Sequence, residues 1–225
     1  MLLGHVAMAV AYTTAWDNYL VASGVWSYEP RLVSGRTIGW VPVEEYAFFI
    51  LQTLLTGSWL QLSATRVSTS VSDTVDSKTI RAAGTSVLTV IWLAALYDLA
   101  YGAPKRRYLN LILGWALPPI MLQVAFGGDI LWRYRRLVAA CIIPPTLYLG
   151  AADSLAIGSG TWTINPENTI KRDVIPNLPV EELLFFFLTN VLLVFGMTLV
   201  QSTASEKRLP ARLHDPYFRL KGTMG

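Results

Sequence analysis

Residues 42–55 read Pro-Val-Glu-Glu-Tyr-Ala-Phe-Phe-Ile-Leu-Gln-Thr-Leu-Leu, and residues 179–192 read Pro-Val-Glu-Glu-Leu-Leu-Phe-Phe-Phe-Leu-Thr-Asn-Val-Leu. Eight of these fourteen positions are identical. The likeness extends upstream of each copy: Asp17, Ser23, Gly24, Trp26 and Pro30 recur 136 residues later as Asp153, Ser159, Gly160, Trp162 and Pro166. A one-residue shift then sets the interval at 137 for the second block. Thirteen identities in one order indicate an internal duplication, the first thing to settle about a fold.

Around the duplicated blocks the chain is strongly apolar. Of its 225 residues 53% are hydrophobic and 15% charged, with a mean hydropathy of +0.42. Soluble domains carry roughly a quarter charged residues, so a water-soluble fold is excluded. A lone Cys141 excludes a disulfide framework or thiolate cluster. Two histidines near opposite ends, His5 and His214, argue against a histidine-ligated metal, and a scattered net charge of +3 against nucleic acid.

A helix crosses the hydrocarbon layer with about 20 apolar residues. Six segments approach that length: 1–23, 42–62, 82–101, 109–126, 137–157 and 179–200. The predicted fold is an all-α integral membrane protein with about six transmembrane helices in two parallel half-repeats. The repeats cover about 1–62 and 109–200, with 82–101 as a linking helix. Gly127-Gly128 reads as a loop, and Pro144-Pro145 predicts a kink or break in the fifth span. Residues 202–225 read as a polar, soluble tail. Eleven Lys/Arg on the N-terminal side against seven on the other favour a cytoplasmic N-terminus.

Four crossings separate the first span from the fifth, so the two copies run in the same direction. Asp17, Glu44 and Glu45 then share one membrane face with Asp153, Glu181 and Glu182. Acids inside a membrane are costly and usually face a cavity, where packed carboxyls share protons. Neighbouring glutamates on a helix point about 100° apart, so one of each pair addresses a given point and the other serves as orienter or rim. Phe48, Phe49, Phe185 and Phe186 descend from the glutamates, and Trp16, Tyr19, Trp26, Tyr46 and Trp162 cluster in the same layer. Each feature has an ordinary explanation: two glutamates suit any helix start, Trp and Tyr anchor membrane boundaries, and Phe-Phe pairs can face lipid. Duplication of the whole block favours a functional site of acids and aromatic rings.

Such a site suits proton-driven carbocation chemistry on a hydrocarbon that never enters water. A buried acid can protonate an alkene, aromatic faces can shelter the cation, and a second carboxylate can remove a proton. No dinucleotide-binding glycine pattern is present. The residues alone leave proton or ion transport open.

The stretch Thr13-Thr-Ala-Trp-Asp-Asn-Tyr19, Trp26, Gly39-Trp-Val-Pro-Val-Glu-Glu-Tyr46 and Phe48-Phe49-Ile-Leu-Gln-Thr53 resembles the lycopene cyclase family of the fungal and actinobacterial type. So does Pro145-Thr-Leu-Tyr148, Asp153, Gly160-Thr-Trp162 and Leu178-Pro-Val-Glu-Glu182 with Phe185-Phe186. The family occurs as two homologous polypeptides in some bacteria and as a fused chain in fungi, commonly followed there by a phytoene synthase. The resemblance implies a lycopene-cyclase-like transmembrane domain over 1–201. Two departures stand out. Thr14-Ala15-Trp16-Asp17 replaces the usual Thr-Pro-Trp-Asp, and the sequence starts after the point where fused members carry a further helix. By repeat logic that helix would be the partner of the fourth span.

The implied activity is the redox-neutral closure of the ψ-ends of lycopene to β-rings, through γ-carotene to β-carotene, by a lycopene β-cyclase of the isomerase class. One acid protonates C2, the C5=C6 bond attacks the C1 cation, and a proton leaves C6. The expected proton-handling set is Glu44, Glu45, Glu181 and Glu182 with Asp17 and Asp153 as partners. The expected substrate-binding set is Trp16, Tyr19, Trp26, Tyr46, Phe48, Phe49, Trp162, Phe185 and Phe186. No cofactor or metal is expected. Partners would be lycopene, γ-carotene, membrane lipids and a phytoene synthase, with no nucleic acid. Glu44→Gln or Glu181→Gln is predicted to stop ring formation. The alternatives are a proton or ion transporter and a non-catalytic carotenoid-binding or truncated, inactive subunit.

Overall fold

The computed structural model describes residues 1–65 and 77–209. Helices α1 (Leu2–Ala22), α2 (Val43–Ala64), α3 (Lys78–Tyr101), α4 (Arg107–Arg133), α5 (Arg135–Gly158) and α6 (Val180–Gln201) make up most of it. Four segments are long and apolar enough to cross a membrane: α3, Pro104–Arg133, α5 and α6. Helices α1 and α2 match them in length but are interrupted by His5, Thr13, Thr14, Asp17 and Asn18, and by Glu44, Glu45, Gln52 and Thr53.

Connections at one end are built from short ribbons. Strand β1 (Trp26–Tyr28) follows α1, and β2 (Thr37–Ile38) with β3 (Val41–Pro42) forms a hairpin leading into α2. After α5 come β4 (Trp162–Ile164), then β5 (Asp173–Ile175) paired with β6 (Leu178–Pro179), leading into α6. Strands β1 and β4 pair antiparallel with Ser27 opposite Thr163. Helices α1 and α5 close alike, with Val25 N–H reaching Leu20 C=O and Thr161 N–H reaching Ala156 C=O, at 3.0 Å each. Gly24 and Gly160, at φ +70° and +76°, make the left-handed turn this closure needs.

The core lies among α1, α2, α4, α5 and α6, while α3 packs along α4 at the periphery. Three helices are tied by side chains: Thr56 Oγ1 donates to Asn190 Oδ1 at 2.7 Å, and Asn190 Nδ2 donates to Thr146 Oγ1 at 3.0 Å. Nearby, Gln52 Nε2 donates to Thr189 Oγ1 at 2.7 Å.

Pro144-Pro145 makes no break in α5, which runs on through both residues. A proline frees the carbonyl four residues back, which is costly in an apolar setting unless another donor takes it. Trp59 Nε1 donates to Ala140 C=O, freed by Pro144, at 2.9 Å. Within α4, Trp92 Nε1 takes Gly114 C=O, freed by Pro118, at 3.2 Å. Tyr12 Oη takes Trp115 C=O, freed by Pro119, at 2.7 Å. Neighbouring helices thus supply donors to the carbonyls freed by Pro118, Pro119 and Pro144.

Two further expectations are corrected. Gly127-Gly128 is no loop: α4 bends at Gly127 (φ −147°, ψ 31°) and continues to Arg133, leaving Tyr134 as its junction with α5. Leu199 of α6 packs so near that a Cβ on Gly127 would meet its Cδ2 at 2.3 Å. The tail does not leave the bundle at residue 202. It forms α7 (Thr203–Glu206), and Arg208 returns to Asp129 with Nη1–Oδ1 at 2.8 Å and Nη2–Oδ2 at 2.5 Å. Residues 210–225 of the expected tail, including His214, lie outside the described residues.

Trp59→Phe keeps the ring but removes the donor to Ala140. It should lower unfolding stability in detergent by about 1 kcal/mol, whereas Trp40→Phe, at the exposed Trp40, should leave it unchanged.

Candidate active site

The ribbon end of the bundle gathers the duplicated acids. Asp17 and Asp153 occupy the final turns of α1 and α5, and Glu45 and Glu182 are the third residues of α2 and α6. Glu45, Asp153 and Glu182 line one cleft with Trp26, Tyr28, Phe48, Phe49, Trp162, Phe185 and Phe186. The cleft is narrow, with an interior volume of about 20 Å³. Nine of these ten residues are ones the sequence singles out; Tyr28 is the addition. No ion pair to Glu45, Asp153 or Glu182 is found among the described residues.

Within each glutamate pair the two members do different work. Glu44 is exposed, and its Oε1 accepts from Ser34 N–H at 2.6 Å. Glu181 is fully buried, and its Oε1 accepts from Ile170 N–H at 2.7 Å. Both therefore tie a connecting loop to the start of a helix, and neither lines the cleft. The 100° offset on the helix is the reason, since it turns Glu44 and Glu181 away as Glu45 and Glu182 turn inward. Of the two substitutions predicted to stop the chemistry, Glu44→Gln falls on a residue at the surface.

Asp153 Oδ1 accepts from Trp162 Nε1 at 3.0 Å, while its Oδ2 is buried with no partner among the described residues. Asp17 is 0% exposed with neither oxygen partnered among the described residues, and it stands within electrostatic reach of Glu45 rather than on the cleft wall. Tyr108, at the start of α4, is 0% exposed and donates from Oη to Glu182 Oε1 at 2.6 Å. The Tyr28 hydroxyl lies beside the Glu45 carboxyl. Burial first, then the carboxyls of Glu45 and Asp17, raise it above the ordinary phenol range. It is therefore a neutral phenol at any working pH.

Aromatic rings form the floor and one wall. Phe185 stacks on Trp16 with centroids 5.5 Å apart and meets Trp26 edge-on at 6.1 Å. Phe48 meets Phe186 edge-on at 6.0 Å, joining α2 to α6. Trp16 stacks in turn on Trp115 at 4.5 Å, so it backs the wall rather than lining it. Two expected substrate residues lie elsewhere. Tyr19 is exposed and accepts from Arg107 Nη2 at 3.2 Å. Tyr46 donates to Ile38 C=O at 3.1 Å and accepts from Asn18 Nδ2 at 3.2 Å, holding the β2–β3 hairpin to α1. That hairpin sits so close to α1 that a Cβ on Gly39 would fall 2.1 Å from Asn18 Oδ1.

Neither tyrosine on an acid announces itself in the sequence. Tyr108 opens an apolar span, where tyrosine is the ordinary boundary residue. Tyr28 sits opposite Trp162 across the β1–β4 ribbon, a pairing that only the register reveals. The cleft as a whole offers three carboxyls without cationic partners, set against π faces, for moving a proton on and off an apolar molecule. Cation–π contacts there are worth about 2 kcal/mol when desolvated.

A family model described as lycopene cyclase matches residues 1–62 and 105–200. The chain is 42% identical over 194 residues to a lycopene beta-cyclase of Halobacterium salinarum, covering 86% of this chain and 79% of that one. It is 33% identical over 199 residues to a bifunctional lycopene cyclase/phytoene synthase of Podospora anserina, covering 85% of this chain and 33% of the relative. A protein of the same description from Blakeslea trispora is 35% identical over 215 residues, covering 92% and 34%. The chain thus spans about a third of these fungal relatives. No solved structure matches it.

Glu181→Leu removes the acceptor from Ile170 N–H. It should speed hydrogen exchange at the Ile170 amide and cost about 1–3 kcal/mol of stability. Glu181→Gln, which keeps an acceptor, should leave both near wild type.

Proposed function

Because the chain belongs to the lycopene cyclase family, we propose that it closes the ψ-ends of lycopene into β-rings, giving γ-carotene and then β-carotene. The reaction is an isomerisation: one proton enters at C2, the C1–C6 bond forms, and one proton leaves C6. Glu45, Asp153 and Glu182 handle the proton, with Asp17 behind Glu45 as their partner. Trp26, Phe48, Phe49, Trp162, Phe185 and Phe186 shelter the cation, and Trp16 braces them. Glu44, Glu181, Tyr19 and Tyr46 hold the loops and helix ends around the site.

The observation that carries this reading is the cleft itself, where three carboxyls without cationic partners meet seven aromatic rings at the ends of apolar helices. Proton passage is less favoured, because the phenylalanine layer separates the acids from polar groups deeper in the bundle. Those groups satisfy one another, as Gln52 with Thr189 and Thr56 with Asn190.

The enzyme is a multi-pass membrane protein of six spans in two parallel half-repeats, with a transmembrane domain over 1–201 and a C-terminal tail. Supporting this, Ser27 and Thr163 pair across the β1–β4 ribbon although they are equivalent positions 136 residues apart. Gln52 and Thr189, 137 apart, likewise meet. Contacts between equivalent residues are what an approximate two-fold axis through the cleft would produce. Lycopene and γ-carotene would reach the site from the surrounding lipid. A phytoene synthase is a fitting partner, since the fungal relatives' names join both activities.

In lycopene-accumulating cells the wild-type chain should yield β-carotene. Glu45→Gln and Glu182→Gln should each cut ring formation by at least about a hundredfold at unchanged protein in the membrane fraction, while Glu44→Gln should retain it. Chromatography of the carotenoids reads the outcome, and full ring formation in both cleft variants would overturn their assignment.

A further inference from the structure

The cleft is asymmetric despite its duplicated acids. Glu182 accepts a 2.6 Å bond from a buried tyrosine, whereas its counterpart Glu45 meets Tyr28 in a looser contact. Tyr108 is fully buried, pinned edge-on against Trp26 with centroids 5.9 Å apart, and its 2.6 Å bond to Glu182 Oε1 comes from a third helix. The phenol gives its only proton to this bond, so Oε1 is fixed as an acceptor. Glu182 Oε2 makes no hydrogen bond among the described residues, and Glu182 lines the cleft.

Resting on the cyclase reading above, we infer that Glu182 is the base that ends the reaction and that Tyr108 is its positioning residue, fixing which proton leaves. After C1–C6 closure the positive charge sits on C5. Loss of the C6 proton gives the β-ring, loss from C4 the ε-ring, and loss from the C5 methyl the γ-ring. These carbons each stand one bond of roughly 1.5 Å from C5. A base must be held to within about 0.5 Å to choose among them. An untethered glutamate, with three rotatable bonds, does not meet that tolerance; one clamped at Oε1 does.

The proton balance closes over one turnover. Asp153 or Glu45 delivers a proton to C2, and Glu182 receives one from C6. Exchange of these carboxyls with water between turnovers restores the starting state. Nothing is oxidised or reduced, and no co-reactant is needed.

The test is Tyr108→Phe in lycopene-accumulating cells beside wild type, with ring types resolved by chromatography and mass spectrometry. Membrane abundance and thermal midpoint are measured on the same preparations. The inference expects Y108F to form ε- or γ-rings alongside β-rings, a change in product ratio that general loss of stability does not produce. Glu182→Asp, which draws the carboxyl back by one methylene, should broaden the products in the same way and covers a Y108F protein that fails to accumulate. Rings that stay solely β in both variants overturn the inference, as does loss of all ring formation in both at normal abundance, which would assign Glu182 to the protonating step. Absence of rings in wild type would instead defeat the cyclase reading itself.

Discussion

Carboxyl groups kept from water without a cation to answer them govern this structure. Asp17, Asp153 and Glu182 are essentially unexposed, and no ion pair to any of them is found among the described residues. Such groups are costly in an apolar bundle and persist where hydrogen bonds or shared protons relieve them. The protein offers few relieving bonds: one indole to Asp153 and one phenol to Glu182. What it provides instead is nearness of the acids to one another and to aromatic faces. That arrangement serves poorly for stability and well for handing a proton to an alkene.

The same constraint shapes the scaffold. Prolines inside α4 and α5 leave carbonyls that water would satisfy in a soluble protein. Here Trp59, Trp92 and Tyr12 satisfy them from adjacent helices. Tyr12 also stacks on Trp115, which stacks on Trp16, which stacks on Phe185 at the cleft. The cleft wall and the repair of a helix backbone therefore share residues. Positioning at the site follows from packing that the bundle needs in any case.

Much of this is legible in the sequence because the chain states it twice. The repeated Asp, Trp, Glu-Glu and Phe-Phe mark nine of the ten cleft residues, and the apolar runs match the six long helices within a few residues at most ends. The member of each Glu-Glu pair that faces inward is not legible, since 100° of helix rotation has no sign until the neighbouring helices are known. Tyr108 escapes for a related reason: it belongs to no repeated block, and a boundary tyrosine has an ordinary role. The absences of a break at Pro144-Pro145 and of a loop at Gly127-Gly128 share a cause. Local rules give the cost of Pro144 and the freedom of Gly127, but Trp59 and Leu199, which decide the outcome, lie far away in the chain.

The central claim is that a side-chain acid in this cleft starts ring closure by protonating the hydrocarbon. Its most direct test is the mass spectrum, with positional assignment, of β-carotene formed from lycopene by the membrane-embedded protein in deuterium oxide. The account predicts one deuterium on C2 of every new ring and none elsewhere. Rings formed without label, or labelled at another carbon, would contradict it.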